Sequence, residues 1–292
     1  MGQFISSLLI GVVTGSIYAL LAVGLVLIFK TQRVVNFAQA EFATMGAFGF
    51  YAFHNLGGLG YAAAAALAVL GSGLLALVVE RAVIRPLREA RDVTVFVATA
   101  GVALFIVSMT LFVGDANIRQ VEPLFAGNPE FTLSGLPISY QQLLVIAVLA
   151  VVAVLLTIFF KLPIGRALLA VSREPFAVRL AGISTSRLSM LVWVLAGLIA
   201  GLAGVFFAPT TQVTPGLFTQ LALFPALTGA VLGGLTSLPG AVLGGLAVGI
   251  VQSVASVYAT NLGVPGPDTA IVFIILLAVL FFRPEGLLAR EA

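Results

Sequence analysis

Uncharged apolar runs alternate along the chain with short polar, basic or Gly/Pro-marked interruptions, at about 4–29, 37–53, 59–79, 93–114, 140–160, 188–208, 218–235, 239–258 and 268–282. A helix needs about 20 apolar residues to cross roughly 30 Å of hydrocarbon, and each run is long enough or nearly so. The pattern predicts an all-α polytopic membrane protein with about 8–9 transmembrane segments, some broken or re-entrant, in which 1–292 is a single transmembrane domain. Two stretches carry the marks of a break. The run 37–53 contains Gln39 and Glu41, and Thr236-Ser237-Leu238-Pro239-Gly240 puts a turn signal between 218–235 and 239–258. The first run has no basic region before it and is too long for a signal-peptide core, so it is expected to be the first span.

Composition supports the membrane reading: 61% of the 292 residues are hydrophobic and 9% charged, where soluble domains have about a quarter charged. The net charge of +3 is scattered between apolar runs instead of lying along one polar face, which argues against nucleic acid as a partner and for lipid around the chain. Lys and Arg collect on the cytoplasmic side of short connections. Loop 80–92 (Arg81, Arg85, Arg88, Arg91), loop 161–187 (Lys161, Arg166, Arg173, Arg179, Arg187) and the tail (Arg283, Arg290) are therefore assigned inside. Segment 115–139, with Asp115, Glu122 and Glu130 against Arg119, and segment 259–268, with Asp268, are assigned outside. If every segment crosses, the N-terminus lies outside and the C-terminus inside; one re-entrant segment reverses the N-terminal side.

Glycines recur four residues apart at Gly11/Gly15, Gly197/Gly201, Gly229/Gly233, Gly240/Gly244 and Gly245/Gly249. That spacing places both on one helix face and predicts close helix crossings, concentrated in the C-terminal third. Catalytic constellations are poor by comparison. The single histidine, His54, falls at an outer boundary, there is no cysteine, and no GxxxxGK[ST] phosphate loop occurs. The chain is thus expected to be non-enzymatic, with no cofactor or metal of its own, and any ATP-driven work must use another polypeptide.

Two polar features stand out. In Asn36-Phe37-Ala38-Gln39-Ala40-Glu41, two amides and a carboxylate enter the bilayer, which is costly unless they face a wet cavity or satisfy neighbouring backbone. Asn36, Gln39 and Glu41 either border a translocation path or gate, or Glu41 pairs at the interface with Lys30 or Arg33. In loop 161–187, Pro175 suits a first helical position and Gly182 a position just past a helix end, framing a short helix of about seven residues. Glu174 and Arg179 complement its dipole, and Phe176 and Leu180 form one apolar face. Such a helix either docks in a groove of another protein or rests on the membrane surface or the underside of the bundle.

In combination and in order, Gly15-Ser16-Ile17-Tyr18-Ala19-Leu20, Asn36 to Glu41, Gly165-Arg166-Ala167 to Leu180-Ala181-Gly182-Ile183, Gly233-Gly234-Leu235-Thr236-Ser237-Leu238-Pro239-Gly240-Ala241 and Arg283-Pro284-Glu285-Gly286-Leu287 resemble the Liv-type permeases of branched-chain amino acid ABC importers. The likeness is to the shorter of the two permease types. It implies a type II ABC importer-like bundle in a bacterial inner membrane. The implied partners are a second, related permease as heterodimer partner, two cytoplasmic ABC ATPases that bind ATP and Mg, and a periplasmic or lipid-anchored amino-acid-binding protein. It also implies that 161–187 is the ATPase-coupling loop, involving Gly165, Arg166, Arg173, Glu174, Pro175, Phe176, Ala177, Arg179, Leu180 and Gly182. The chain departs from the family where His-Gly is usual: here Gln39-Ala40 stands in its place. A permease of the same class for urea or amides, other amino acids or a sugar, and an ATP-independent channel or secondary carrier, are the competing expectations.

Overall fold

A computed structural model describes residues 2–114, 117–124, 131–133, 136–180, 182–258, 266–283 and 286. Its helices are α1 (Gly2–Gln32), α2 (Gln39–Tyr51), α3 (Tyr61–Val79), α4 (Asp92–Gly114), α5 (Tyr140–Lys161), α6 (Pro163–Arg173), α7 (Pro175–Leu180), α8 (Thr185–Phe207), α9 (Leu217–Leu221), α10 (Leu223–Gly233), α11 (Leu238–Tyr258) and α12 (Pro267–Phe282). A small antiparallel pair, β1 (Phe131–Leu133) with β2 (Leu136–Ile138), precedes α5. Asp115, Glu130 and Arg290, assigned sides from the sequence, lie outside the described residues.

Among the described residues, six helical stretches are long and apolar enough to cross a membrane: Gln3–Gln32, Tyr61–Leu87, Asp92–Gly114, Tyr140–Lys161, Thr185–Thr210 and Leu238–Tyr258. The rest of the expected count comes from shorter pieces. Of the two stretches expected to be broken, 37–53 is not: from Gln39 it runs without interruption through α2 and a π-helical turn over Ala52–Leu56. The interruption lies just before it, where Arg33 takes a left-handed φ of 59° and closes α1 and residues 34–36 are non-helical. At the second, α9 and α10 are separated at Ala222, and Gly234 at φ 93° ends α10 before the turn that leads to α11.

Glycine decides how the interior packs. A Cβ on Gly249 would stand 2.2 Å from Gly15 Cα, and one on Gly244 would stand 2.1 Å from the Gly229 carbonyl oxygen. α11 therefore touches α1 with one face and α10 with another at backbone distance, as the four-residue spacing predicts. A second layer is built alike from α2, α8 and α3, where a Cβ on Gly204 would lie 2.0 Å from the Ala43 carbonyl oxygen. α1 packs against α8 and joins the layers. Around them α4, α5 and α12 turn large apolar side chains outward, among them Phe112, Val151, Leu155 and Phe281, as lipid-facing helices do.

The contacts sort the connections into two ends. At one, Lys30 Nζ donates to the Thr236 carbonyl at 2.9 Å, Gln32 bonds Ser189 at the start of α8, and Arg88 reaches Glu80. At the other, Gln141 Nε2 donates to the Phe206 carbonyl at 2.8 Å, and Arg119 and Val213 exchange backbone hydrogen bonds. Loops 80–92 and 161–187 lie at the first end, while Arg119 is the basic residue the described chain places at the second. The charge rule thus names the first end cytoplasmic, and the Gly2 end of α1 falls on the outer side.

Candidate functional site

The polar residues of the Asn36–Glu41 elbow are buried: Asn36, Gln39 and Glu41 are all at 0% exposure. Asn36 precedes α2 and acts as a local brace, its Oδ1 accepting from Ala38 N–H at 3.0 Å and its Nδ2 donating to Gln39 Oε1 at 3.4 Å. Gln39 Nε2 donates to the Ala196 carbonyl at 3.0 Å and so ties the start of α2 to the middle of α8. That bond satisfies backbone inside the bundle, one of the two ways a polar group at this depth is tolerated.

Glu41 is different. Neither carboxylate oxygen has a hydrogen-bond partner; the expected pairing with Lys30 or Arg33 is not formed. Lys30 is engaged instead by the Thr236 carbonyl and the face of Phe160, because α1 runs on past the level of Glu41 and carries its basic end to the α10–α11 turn. The polar groups facing the Glu41 carboxylate are the hydroxyls of Thr44 and Thr219 and the Thr219 backbone N–H, none of them in hydrogen-bonding geometry with it. Thr219 Oγ1 is itself buried without a partner, and Thr44 Oγ1 accepts from Phe218 N–H at 3.3 Å. Tyr18, halfway along α1, donates to the Leu221 carbonyl at 3.5 Å. These contacts set the α9–α10 break at mid-depth, with Glu41 beside it and not near one end as the sequence suggests.

The 161–187 connection is helical over most of its length, which the sequence reading missed for its first half. Pro163 opens α6 at the position proline favours. Leu168 is fully buried, with Ala167 and Val171 packed against the core, a spacing of 3 and 4 that the sequence carries and that signals an amphipathic helix. Gly165 lets α6 fold back on α5, since a Cβ there would lie 2.2 Å from the Phe159 carbonyl oxygen. Arg166 points to solvent.

α7 starts at Pro175, one residue later than Glu174, whose carbonyl accepts from Val178 N–H at 3.2 Å. Gly182 takes φ 76°, and Ile183 N–H returns to the Val178 carbonyl at 3.2 Å. A left-handed residue with that bond is the Schellman closure of a helix. Val178 is buried, while Phe176 and Leu180 are 66% and 75% exposed. The underside of the bundle therefore does not cover the apolar pair. For Arg173, Pro175, Ala177 and Arg179 only the backbone is described.

One polar chain at this end was not singled out from the sequence. Arg88 Nη2 lies 2.8 Å from Glu80 Oε1, which also accepts from Ser189 Oγ at 2.7 Å; Ser189 in turn accepts from Gln32 Nε2 at 2.5 Å, and Trp193 Nε1 donates to Gln32 Oε1 at 3.0 Å. It ties α1, the π-helical turn Glu80–Ile84 that follows α3, and the first turns of α8, next to α7. The available signal was a carboxylate ending an apolar run just ahead of an arginine-rich loop. No group of three or more metal-ligating side chains occurs among the described residues.

A glycine-packed helical bundle with a broken mid-depth pass, a buried polar elbow and an exposed capped helix at its cytoplasmic end is a multi-pass inner-membrane transport protein in build. The family described as the branched-chain amino acid transport system / permease component matches residues 7–282, and the chain belongs to that family. It is 30% identical to the high-affinity branched-chain amino acid transport system permease protein BraD of Pseudomonas aeruginosa, over 99% of this chain and 96% of that protein. It is 28% identical to the corresponding protein LivH of Escherichia coli, over 98% of this chain and 96% of that one. In fold it is similar to the solved structure of PsaBC from Streptococcus pneumoniae in complex with Fab, at a TM-score of 0.52 and 17% identity, covering 97% of this chain and 92% of that one.

Proposed function

We propose that this chain is a permease subunit of an ATP-driven importer for branched-chain, neutral hydrophobic amino acids. It would form half of a translocation path with a second permease of its kind. Cytoplasmic ATPases would bind ATP and Mg, and a binding protein outside would deliver the cargo. The family and the names of relatives matched over nearly their whole length support the cargo class. The observation that carries the coupling role is α7: a six-residue helix, too short to hold itself in water, closed by Gly182 and offering Phe176 and Leu180 to a partner at the cytoplasmic end. Docking of that face would let closure of the ATPases push on α8 through the four residues that separate α7 from it.

Phe176→Asp combined with Leu180→Asp is expected to abolish ATP-dependent leucine uptake in membrane vesicles and to release the ATPases from the purified permease, with membrane insertion unchanged. Full uptake by the double variant with the ATPases still bound removes the coupling role.

The elbow enters the same proposal as a gate. With its unpartnered carboxylate beside a helix break, Glu41 is ready to take partners in another conformation, whereas Asn36 and Gln39 hold α2 in place. A path opened by displacement of α9 would uncover Glu41, because Thr219 on α9 faces its carboxylate.

A further inference from the structure

At the outer end, between α2 and α4, lies a cavity of about 380 Å³ lined mostly by apolar side chains, with Tyr51, Thr110 and one arginine. This is near the lower limit of ligand cavities, which run from about 300 to 1,000 Å³, and suits one small molecule. Its walls include Met45, Phe48, Met109 and Val113, and Arg119 closes it. The Arg119 guanidinium stacks 5.0 Å from the Phe48 ring centre and 5.5 Å from that of Tyr51. Its Nη1 is buried and has no hydrogen-bond acceptor.

An arginine in that condition needs explaining. Leaving a desolvated donor unmade costs about 1–3 kcal/mol, and the positive-inside rule gives no reason to keep a basic residue on this side. Nor is the residue loosely placed: Arg119 N–H donates to the Val213 carbonyl at 3.1 Å and Val213 N–H returns to the Arg119 carbonyl at 2.8 Å. Its backbone is thus fixed to the segment leading into α9, and the two aromatic faces fix its plane. A planar fork held in one orientation in an apolar hollow is suited to a carboxylate, which it binds through two parallel hydrogen bonds. The methionines supply a wall that adapts to aliphatic side chains of differing shape. The C-terminal end of α4 at Val113 and Gly114 contributes the negative end of a helix dipole, favourable for an ammonium.

The geometry points to a binding site in this cavity for one aliphatic α-amino acid, its carboxylate on Arg119 and its side chain between Phe48, Met45 and Met109, as a first stop for cargo entering from outside. The inference rests on the cargo class proposed above. A fatty acid or an anionic lipid headgroup offers the same anion next to apolar carbon. The amino acid is favoured because a volume of about 380 Å³ suits one small aliphatic molecule and the α4 terminus meets a second, positive group.

The test is calorimetric titration of the purified full chain in detergent with leucine, 4-methylpentanoate, 3-methylbutylamine and oleate. Leucine and 4-methylpentanoate are expected to bind saturably and the amine not at all. Arg119→Gln should weaken both by at least about tenfold, and Met109→Trp, which fills the cavity from a half-exposed position on α4, should abolish binding with helical content and elution unchanged. Absence of carboxylate binding, wild-type affinity in Arg119→Gln, or binding of oleate alone would each overturn the site. Arg119-dependent 4-methylpentanoate binding in a chain whose assembled importer rejects leucine keeps the site and removes the cargo reading. Leucine uptake by an importer whose permease lacks that binding does the reverse.

Discussion

Glu80 and Glu41 are both carboxylates at 0% exposure in one bundle, and both leave an oxygen without a partner, Glu80 its Oε2 and Glu41 both, yet only Glu80 is anchored. Glu80 has a guanidinium at 2.8 Å and a serine hydroxyl at 2.7 Å on the same oxygen; Glu41 has no hydrogen bond on either. A buried charge that is paired and hydrogen-bonded can stay where it is, whereas one without partners is retained only where another state of the protein makes use of it. On this comparison the cytoplasmic network is a fixed brace, and the mid-depth elbow is the part that changes.

The largest effect is expected from breaking the brace. Glu80→Ala leaves Arg88 and Ser189 without their shared acceptor, and removal of one partner of a buried pair costs about 3–5 kcal/mol. Arg88 is 34% exposed, so water takes over part of its solvation and the loss should sit near the lower limit. It is measured as a fall in thermal stability of the detergent-solubilised permease. Equal stability of Glu80→Ala and the wild type would undo the distinction between the two carboxylates. Glu41→Gln should behave in the contrary way. The amide keeps the shape of a carboxyl group that has no partner to lose, so stability holds or rises, while uptake falls about tenfold, equivalent to about 1.4 kcal/mol on the rate-limiting step. Normal uptake would make Glu41 a bystander. Loss of stability would make it a brace like Glu80.

The bundle was legible in the sequence because its determinants are local. Span length, the Arg81–Arg91 cluster and the Gly245/Gly249 spacing each speak through one segment, and the turn before α11 was announced by Pro239-Gly240, whereas Gln39-Ala40-Glu41 suggested a break inside a run that is one continuous helical piece. The short helix was legible for the same reason, with Pro175 and Gly182 at its limits. The pairing of Glu80 with Ser189 was not, since it joins residues 109 apart in the chain and no local pattern encodes that. α6 was missed although Leu168 and Val171 carry a helical period, because a long basic connection invites reading as a loop. The Arg119 cavity depends on α2, α4 and the segment before α9 meeting at one end, which only the fold brings about.

The smallest effect should come from Gln39→His, which restores the residue that the resembling permeases usually carry. Gln39 donates one hydrogen bond to Ala196 and packs so close to α1 that a Cβ on Gly24 would lie 2.0 Å from its Nε2. A ring N–H can make the bond to the Ala196 carbonyl, and the ring is no longer than the amide side chain. Stability should then change by no more than about 0.5 kcal/mol, within the usual range for a swap that keeps its hydrogen bond. Because Gln39 braces α2 and Glu41 does not, uptake measured from about pH 5 to 8, where a histidine would reveal a proton role, should follow the wild-type profile. A new pH dependence in this variant would move position 39 from the brace to the working part of the elbow, and the contrast would then run between Asn36 and Gln39 instead of between Gln39 and Glu41.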